Sequence, residues 1–400
     1  MQTTVHHCCC NIFAVVAQTT RRLLMVVGLL CAVGCMSQPP ALVSDSQIGL
    51  DEVLAGKPFV GNNLISPVII DTSDILAVDD DMRRFIDQFV GRQDRRQLRL
   101  EQLVRAIISD GNFGLKYDES TRTAAETFAA RSGNCLSFTN MFVAMARDAG
   151  LEVSYQEVDI PPNWSLQGDT YVLNRHVNVY IKLTGDREHV IDFNIDDFRS
   201  TYSRRRISDQ RAFAHYFSNK GVEKIQSGIQ AEAFAMFRIA INLDPNLAPA
   251  WSNLAALYNR AGEPAYAEAA YLEALRLEPR QLVSMSNLSR IYKAQGNNQL
   301  AAYYRDQVHR HRQQNPYYRY YLARQAFLIR DYDTAISNLE DAIHRKEWED
   351  SFYFLLGLSY LQKGDEKQAR KWLNKAEEVA QSDALKRNYQ SKIDLLLSTE

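Results

Sequence analysis

The chain has 400 residues and a formal net charge of −2, with 46% hydrophobic and 24% charged residues. That length is enough for two domains, and the composition is that of an ordinary folded globular protein. Because the charges nearly balance, nothing in the composition indicates a nucleic-acid-binding protein, and we expect no partner of that class.

The first 34 residues have the order of an export signal. Arg21 and Arg22 precede an apolar run over residues 23–34, which is shorter than the roughly 20 residues that span a bilayer core as a helix. Cys35 follows this segment, and the stretch "AVGC", residues 32–35, resembles the lipobox of bacterial lipoproteins. The resemblance implies a signal peptide over residues 1–34, cleavage after it, and a lipid on Cys35. An ordinary signal peptide cut nearby and an uncleaved anchor are the alternatives.

A lipoprotein of this kind would be attached to a membrane of the bacterial cell envelope and would face the periplasm. Met36 follows the lipidated cysteine, at the place where an aspartate often retains a lipoprotein at the inner membrane. The resemblance therefore implies the outer membrane rather than the inner one.

Six cysteines are present, and five of them lie in the first 35 residues. The sixth is Cys135, which is the only free thiol if the signal is removed and Cys35 carries a lipid. A disulfide framework within the exported chain is therefore excluded. A reactive thiol and a buried inert cysteine both fit this count.

Residues 35–75 are rich in proline and have few periodic stretches, which predicts a lipidated tether and an irregular lead-in. Helical spacing of apolar residues follows at 80–91 and at 97–110. A third helix has Ser120 or Thr121 as its expected N-cap and Gly133 as its stop.

The next helix begins at Cys135, straight after a Gly-Asn pair, and ends at Gly150. A thiol at a helix N-terminus lies close to unpaired backbone N–H groups and to the positive end of the helix dipole, which favour the thiolate. Alternating apolar residues then predict strands in 151–160, 170–183 and 188–196, the last two forming a hairpin. Helices followed by a short antiparallel sheet predict an α+β domain.

His176 and Asp192 lie in the two strands of the predicted hairpin. A register with an even residue sum would place them on one face as near neighbours, where Asp192 could orient His176. His189 is a rival base, but its odd separation from Asp192 along one strand puts the two on opposite faces. Asp192 could instead cap the following turn, in competition with Asp196 and Asp197.

Three stretches resemble the transglutaminase-like family of the papain-type cysteine fold: residues 131–153 around the cysteine, 175–181 around the histidine, and 189–194 around the aspartate. The resemblance implies a domain over residues 76–205 in which Cys135 is the nucleophile, His176 the general base and acid, and Asp192 the residue that orients His176. The residues after the histidine, Val177 and Asn178, differ from the family's pattern.

Acyl transfer at a thiol also needs donors for the developing oxyanion. The backbone N–H of Cys135 is the first, and Tyr117, Asn112 and Asn134 are open alternatives for the second. His and Cys residues are not set at metal-ligand spacing outside the N-terminal segment, and no glycine-rich phosphate loop is present, so we expect no cofactor and no metal.

The second half repeats with a period of 34 residues. Small residues recur at one position, glycines mark the turns except where Arg330 replaces one, and tyrosines recur between them. The small residues are Ala233, Ala267, Ala301, Ala335 and Ala369, and the glycines are Gly228, Gly262, Gly296 and Gly364. These positions resemble the tetratricopeptide repeat, which implies five repeats over residues 214–383 and a C-terminal capping helix within 384–400. Such an all-α solenoid commonly binds a protein or peptide on its concave face.

The fold class expected is therefore an α+β transglutaminase-like domain followed by an all-α tetratricopeptide solenoid. Its expected chemistry is attack of Cys135 on an amide carbonyl, with hydrolysis and transamidation both open. The alternative is a membrane-anchored adaptor without enzymatic activity, in which the three residues are vestigial and the repeats recruit a partner.

Overall fold

The computed structural model describes residues 48–60, 71–91, 95–109, 113–159, 175–183, 188–193, 203–380 and 383–397. The expected signal peptide and the expected lipidation at Cys35 lie outside these residues. Among the helices of the described part, none is long and apolar enough to cross a bilayer.

The α+β part begins with helices that lead to the cysteine. They are α3 (Asp80–Phe89) and α4 (Arg96–Val104), followed by strand β1 (Lys116–Tyr117), helix α5 (Ala124–Ala130), strand β2 (Ser132–Gly133) and helix α6 (Cys135–Asp148). Every residue of α6 from Leu136 to Ala146 is buried. A helix buried on all sides forms the centre of a domain core, and here it packs against a sheet on one side.

Helix α5 differs from the sequence expectation at both ends. Its N-cap is Thr123, which forms a reciprocal capping box with Glu126, rather than Ser120 or Thr121. It ends at Ala130, because Arg131 takes the left-handed conformation (φ 52°) and β2 then pairs in parallel with β1. Residues 120 and 121 are instead bonded to the start of α6, as described below.

The sheet has the order β5-β4-β3-β6, and its neighbouring strands are antiparallel. The strands are β3 (Val153–Asp159), β4 (Arg175–Lys182), β5 (Glu188–Ile191) and β6 (Arg204–Ile207). Thr139 on α6 donates its hydroxyl to the carbonyl of Val177 on β4 at 3.0 Å. This bond fixes the helix that carries the cysteine against the strand that carries the histidine.

The solenoid consists of successive antiparallel helix pairs. The pairs are α7 (Asp209–Gln226) with α8 (Gln230–Leu243), α9 (Ala248–Arg260) with α10 (Pro264–Leu277), α11 (Leu282–Ala294) with α12 (Asn298–Gln314), α13 (Pro316–Leu328) with α14 (Tyr332–Arg345), and α15 (Asp350–Gln362) with α16 (Glu366–Val379). Helix α17 (Asp383–Leu397) packs on the last pair through Tyr389 and Ile393. The periodic alanines are buried where the paired helices approach one another.

Part of the segment expected to be irregular is ordered on the solenoid. Helices α1 (Leu50–Ala55) and α2 (Lys57–Val60) place Val53 and Phe59 in the apolar core of the first repeats. The Tyr258 hydroxyl donates to the carbonyl of Val53 at 2.5 Å, and Phe59 stacks on Phe234 with ring centroids 5.3 Å apart.

Helix α7 belongs to two cores at once. Ala212 and Tyr216 pack in the core of the α+β part, whereas Ala214 packs in the core of the solenoid. The partly buried Phe217 packs against both cores. The first helix of the solenoid is therefore also a structural element of the domain that carries the cysteine.

Ion pairs reinforce this junction. Buried Glu157 on β3 accepts hydrogen bonds from Arg211 Nε at 2.6 Å and from His215 Nε2 at 2.7 Å, both on α7. Arg211 also reaches Asp244 after α8 at 2.6 Å. Burial opposes ionisation of Glu157, but these partners outweigh it and hold the pKa of its carboxyl well below the ordinary value.

Candidate active site

The cysteine stands at the first position of α6 because of the two residues before it. Asn134 is the N-cap, and its Oδ1 accepts a hydrogen bond from the backbone N–H of Ser137 at 3.0 Å. A Cβ added to Gly133 would lie 2.6 Å from Cβ of Ser137, so a larger residue does not fit there. The Gly-Asn pair thus lets the chain enter the helix tightly and places Cys135, which is partly exposed, at its N-terminus.

The loop before α5 closes over the start of α6. The backbone N–H of Asn134 and the hydroxyl of Ser137 both donate to the carbonyl of Ser120, each at 3.1 Å. Asn134 Nδ2 donates to the hydroxyl of Thr121 at 2.8 Å, and Ser137 Oγ accepts from the N–H of Arg122 at 2.9 Å. The first turn of the cysteine helix is therefore held by several bonds from one loop.

The hairpin of β4 and β5 brings the histidine and the aspartate together. His176 Nε2 lies 2.6 Å from Asp192 Oδ1, and their side chains are 4% and 6% exposed. Val179 pairs with Ile191, so the residue sum is even and His176 and Asp192 share a face. His189 pairs with Ile181 on the opposite face and is exposed, so the structure does not bring it to Asp192.

His176 Nε2 contacts Asp192 Oδ1, and Cys135 lies close enough to His176 to act on its pKa. Because Nε2 is engaged by the aspartate, the other ring nitrogen, Nδ1, is the one left for the sulfur. Burial disfavours the charged imidazolium, but the hydrogen bonds and charges of Asp192 and Cys135 outweigh it and raise the pKa of His176 to about 9. The raised pKa favours the imidazolium, the form that can give a proton to a leaving group.

Asn178 is a further member of this site that the sequence reading did not assign. Continuing the register of the hairpin, it lies directly across from Asp192, and its Nδ2 donates to Asp192 Oδ2 at 2.8 Å. Its side chain is fully buried. The signal available in the sequence was its spacing of two residues from His176, which puts both on one face of β4.

The three alternatives for a second oxyanion donor have different surroundings. The Asn134 side chain is engaged at both ends, by Ser137 and by Thr121. Asn112 lies outside the described residues. Tyr117 is 67% exposed, and desolvation of its phenol followed by the charge of Cys135 raises its pKa. Tyr117 pairs with Gly133 on β2, two residues before Cys135.

Groups of His, Cys, Asp and Glu that could hold a metal ion do not occur in the described part of the chain. The chemistry that the arrangement can support from its own side chains is proton transfer and nucleophilic attack by a thiol.

Comparison with curated proteins finds no match. Among solved structures, a crystal structure of MamA is 21% identical and covers 42% of this chain and 91% of its own, with a TM-score of 0.24. YrrB, described as a TPR protein with an unusual peptide-binding site, is 17% identical over 44% and 92% of the two chains, with a TM-score of 0.24. PilF of Pseudomonas aeruginosa is 15% identical over 48% and 95%, with a TM-score of 0.25.

Family models match two parts of the chain. Residues 83–187 match the model of the transglutaminase-like superfamily, and this match contains Cys135 and His176. Residues 350–383, which hold α15 and α16, match the model of the tetratricopeptide repeat. The α+β part followed by an all-α solenoid agrees with the fold class expected from the sequence. The chain therefore carries a transglutaminase-like domain followed by tetratricopeptide repeats, in the order that the sequence resemblance implied.

Proposed function

We propose that the chain is a thiol enzyme that transfers acyl groups from amides, with Cys135 as nucleophile, His176 as acid and base, and Asp192 as the residue that orients His176. The observation that carries the proposal is that buried His176 lies 2.6 Å from the carboxylate of Asp192 and close enough to Cys135 for the thiol to act on its pKa. A nucleophile, a base and an orienting acid in contact are the arrangement that covalent catalysis requires.

In the proposed reaction the Cys135 sulfur attacks the amide carbonyl carbon and forms a C–S bond. His176 gives its Nδ1 proton to the amide nitrogen as the C–N bond breaks, which releases an amine and leaves a thioester. Water or a second amine then attacks the thioester and gives a proton to His176. The C–S bond breaks, and the histidine and sulfur return to their starting state.

The oxyanion formed in each step needs hydrogen-bond donors. The backbone N–H of Cys135 supplies one, because the first N–H groups of a helix have no partner within it. We assign the second to the hydroxyl of Tyr117, because Tyr117 pairs with Gly133, two residues before the cysteine. Tyr117→Phe should then lower turnover of a substrate by about a hundredfold, while alkylation of Cys135, which forms no oxyanion, should stay at the wild-type rate.

The experiment that tests the triad measures alkylation of Cys135 by iodoacetamide against pH, with the labelled peptide quantified by mass spectrometry. The wild-type protein should react faster at pH 7 than His176→Ala. Asp192→Asn should give an intermediate rate, because the imidazole can still visit the productive orientation. His189→Ala is the matched control on the opposite face of the hairpin and should react as the wild type does. Equal rates for wild type and His176→Ala would reject the triad and favour the adaptor.

We further propose that the protein is anchored to the envelope by a lipid on Cys35, faces the periplasm, and binds a protein or peptide partner on its repeats. The lipid anchor is supported by the lipobox-like "AVGC" and the apolar run before it. Cys35→Ser should release the protein from membranes into the soluble fraction, since no helix of the described residues can span a bilayer. Retention of Cys35→Ser in membranes after a high-salt wash would contradict the lipid anchor.

A further inference from the structure

Two side chains of the solenoid hold the loop that covers the start of the cysteine helix. Glu223 on α7 accepts a hydrogen bond from the backbone N–H of Thr121 through Oε1 at 2.6 Å. Lys220, one turn earlier, donates to the Thr121 carbonyl at 3.3 Å and pairs with Glu223 Oε2 at 2.9 Å. Both backbone groups of Thr121 are thus engaged by the first helix of the repeats.

Thr121 passes this constraint to the nucleophile through its side chain. Its hydroxyl accepts from Asn134 Nδ2 at 2.8 Å, and the other end of the same amide caps the N–H of Ser137. Asn134 directly precedes Cys135. A continuous path of three hydrogen bonds therefore runs from the carboxylate of Glu223 to the first turn of α6.

The middle of this path is closed to solvent, since Thr121 is 1% exposed. A buried N–H that loses its acceptor carries a desolvation penalty, so the loop would move to find another partner. Thiol and imidazole must stay within hydrogen-bond distance for proton transfer, and a displacement of about 1 Å can cost about a hundredfold in rate.

We propose that Glu223 is a positioning residue for Cys135, so that the first tetratricopeptide helix is a component of the active site. The proposal rests on the function proposed above, because it assigns to Glu223 the task of holding Cys135 in position relative to His176. It assigns no chemical step to Glu223.

The test uses the full-length chain and the rate of Cys135 alkylation by iodoacetamide across pH 5 to 9. Glu223→Ala should lower the rate at pH 7 about tenfold, the effect of losing one hydrogen bond to a charged group. Glu223→Gln keeps an acceptor oxygen for the Thr121 N–H and should recover most of that loss. The matched control is Glu232→Ala, which removes the ion pair of α8 with Lys224 on α7 without touching the loop.

Thermal unfolding of each variant separates positioning from general loosening. Glu223→Ala should slow alkylation far more than Glu232→Ala at a comparable unfolding midpoint. Thr121→Val has nearly the same shape as the native residue but removes the hydroxyl that accepts from Asn134, the next bond of the path. It too should slow alkylation. If Glu223→Ala does not fold, Thr121→Val tests the proposal in its place. Wild-type rates in Thr121→Val, or equal slowing by Glu223→Ala and Glu232→Ala, would overturn the proposal. A wild-type protein that reacts no faster than His176→Ala would instead reject the triad itself.

Discussion

Asn178 donates from Nδ2 to Oδ2 of Asp192 at 2.8 Å, so the carboxylate that contacts His176 through Oδ1 is held at both of its oxygens. The amide and the carboxylate face one another across the β4–β5 hairpin. An orienting carboxylate is effective only if its own direction is fixed, and here that direction comes from the strand pairing.

Asn178→Ala should slow alkylation of Cys135 at pH 7 by about tenfold or more, because a hydrogen bond to a charged group contributes roughly 1.5–3 kcal/mol. The control is Tyr180→Phe, the next residue on the same face of β4, whose hydroxyl bonds Glu188 and not the triad. A wild-type rate in Asn178→Ala would show that Asp192 is held well enough without the amide.

The raised pKa of His176 predicts a pH dependence of stability. The folded state keeps its proton up to about pH 9, whereas the unfolded state loses it near 6.5. Stability contributed by this group is complete below about pH 6.5 and is lost as the pH rises to about 9, since the folded state then binds more protons than the unfolded one. Urea unfolding between pH 6 and 9 should show this decline in the wild type and a flatter profile in His176→Gln.

Arg211→Ala should destabilise the whole described unit by about 3 kcal/mol, because buried Glu157 would lose one of its cationic partners. The exposed Arg276, which pairs with Glu273 on the same helix, gives the control, and Arg276→Ala should shift the unfolding midpoint very little. Calorimetry of both variants measures the difference. Glu157 would keep His215 and Arg205, whose Nη2 lies 2.6 Å from Glu157 Oε2, and similar midpoints would mean that these two compensate fully.

Arg330 occupies a turn where other repeats have glycine, and it takes the same left-handed conformation, with φ of 64° against 81° at Gly262. A residue with a Cβ is disfavoured there by about 1 kcal/mol. Arg330→Gly should therefore raise the free energy of unfolding by about that amount, and Gly262→Ala should lower it similarly. Urea titration of the two variants should give midpoints displaced in opposite directions. A decrease for Arg330→Gly would indicate that its side chain stabilises the turn.

Local patterns in the sequence were sufficient to predict much of this architecture. The Gly-Asn pair placed Cys135 at a helix start, strand parity separated His176 from His189, and a fixed period revealed the helix pairs. These features depend on neighbours along the chain or on the two-residue alternation of a strand.

Contacts between distant segments could not be predicted in the same way. The role of Asn178 depends on the hairpin register, which the sequence does not fix. Thr121 and Glu223 are separated by 102 residues, and Glu157 and Arg211 by 54. Such pairs depend on how the sheet and the first solenoid helix pack, and no local propensity specifies that packing.

Because α7 packs in both cores, the cysteine domain can complete its core only after α7 has been synthesised. Synthesis proceeds from the N-terminus, so the whole transglutaminase-like region emerges before the helix that completes its core. Until α7 arrives, the apolar surface that receives Ala212 and Tyr216 stays open, and Glu157 lacks its partners on that helix. A nascent or truncated chain that stops before α7 would therefore carry a thiol whose surroundings are incomplete. Because α7 packs in both cores, we expect a chain cut at the junction before α7 to leave the cysteine domain with an incomplete core.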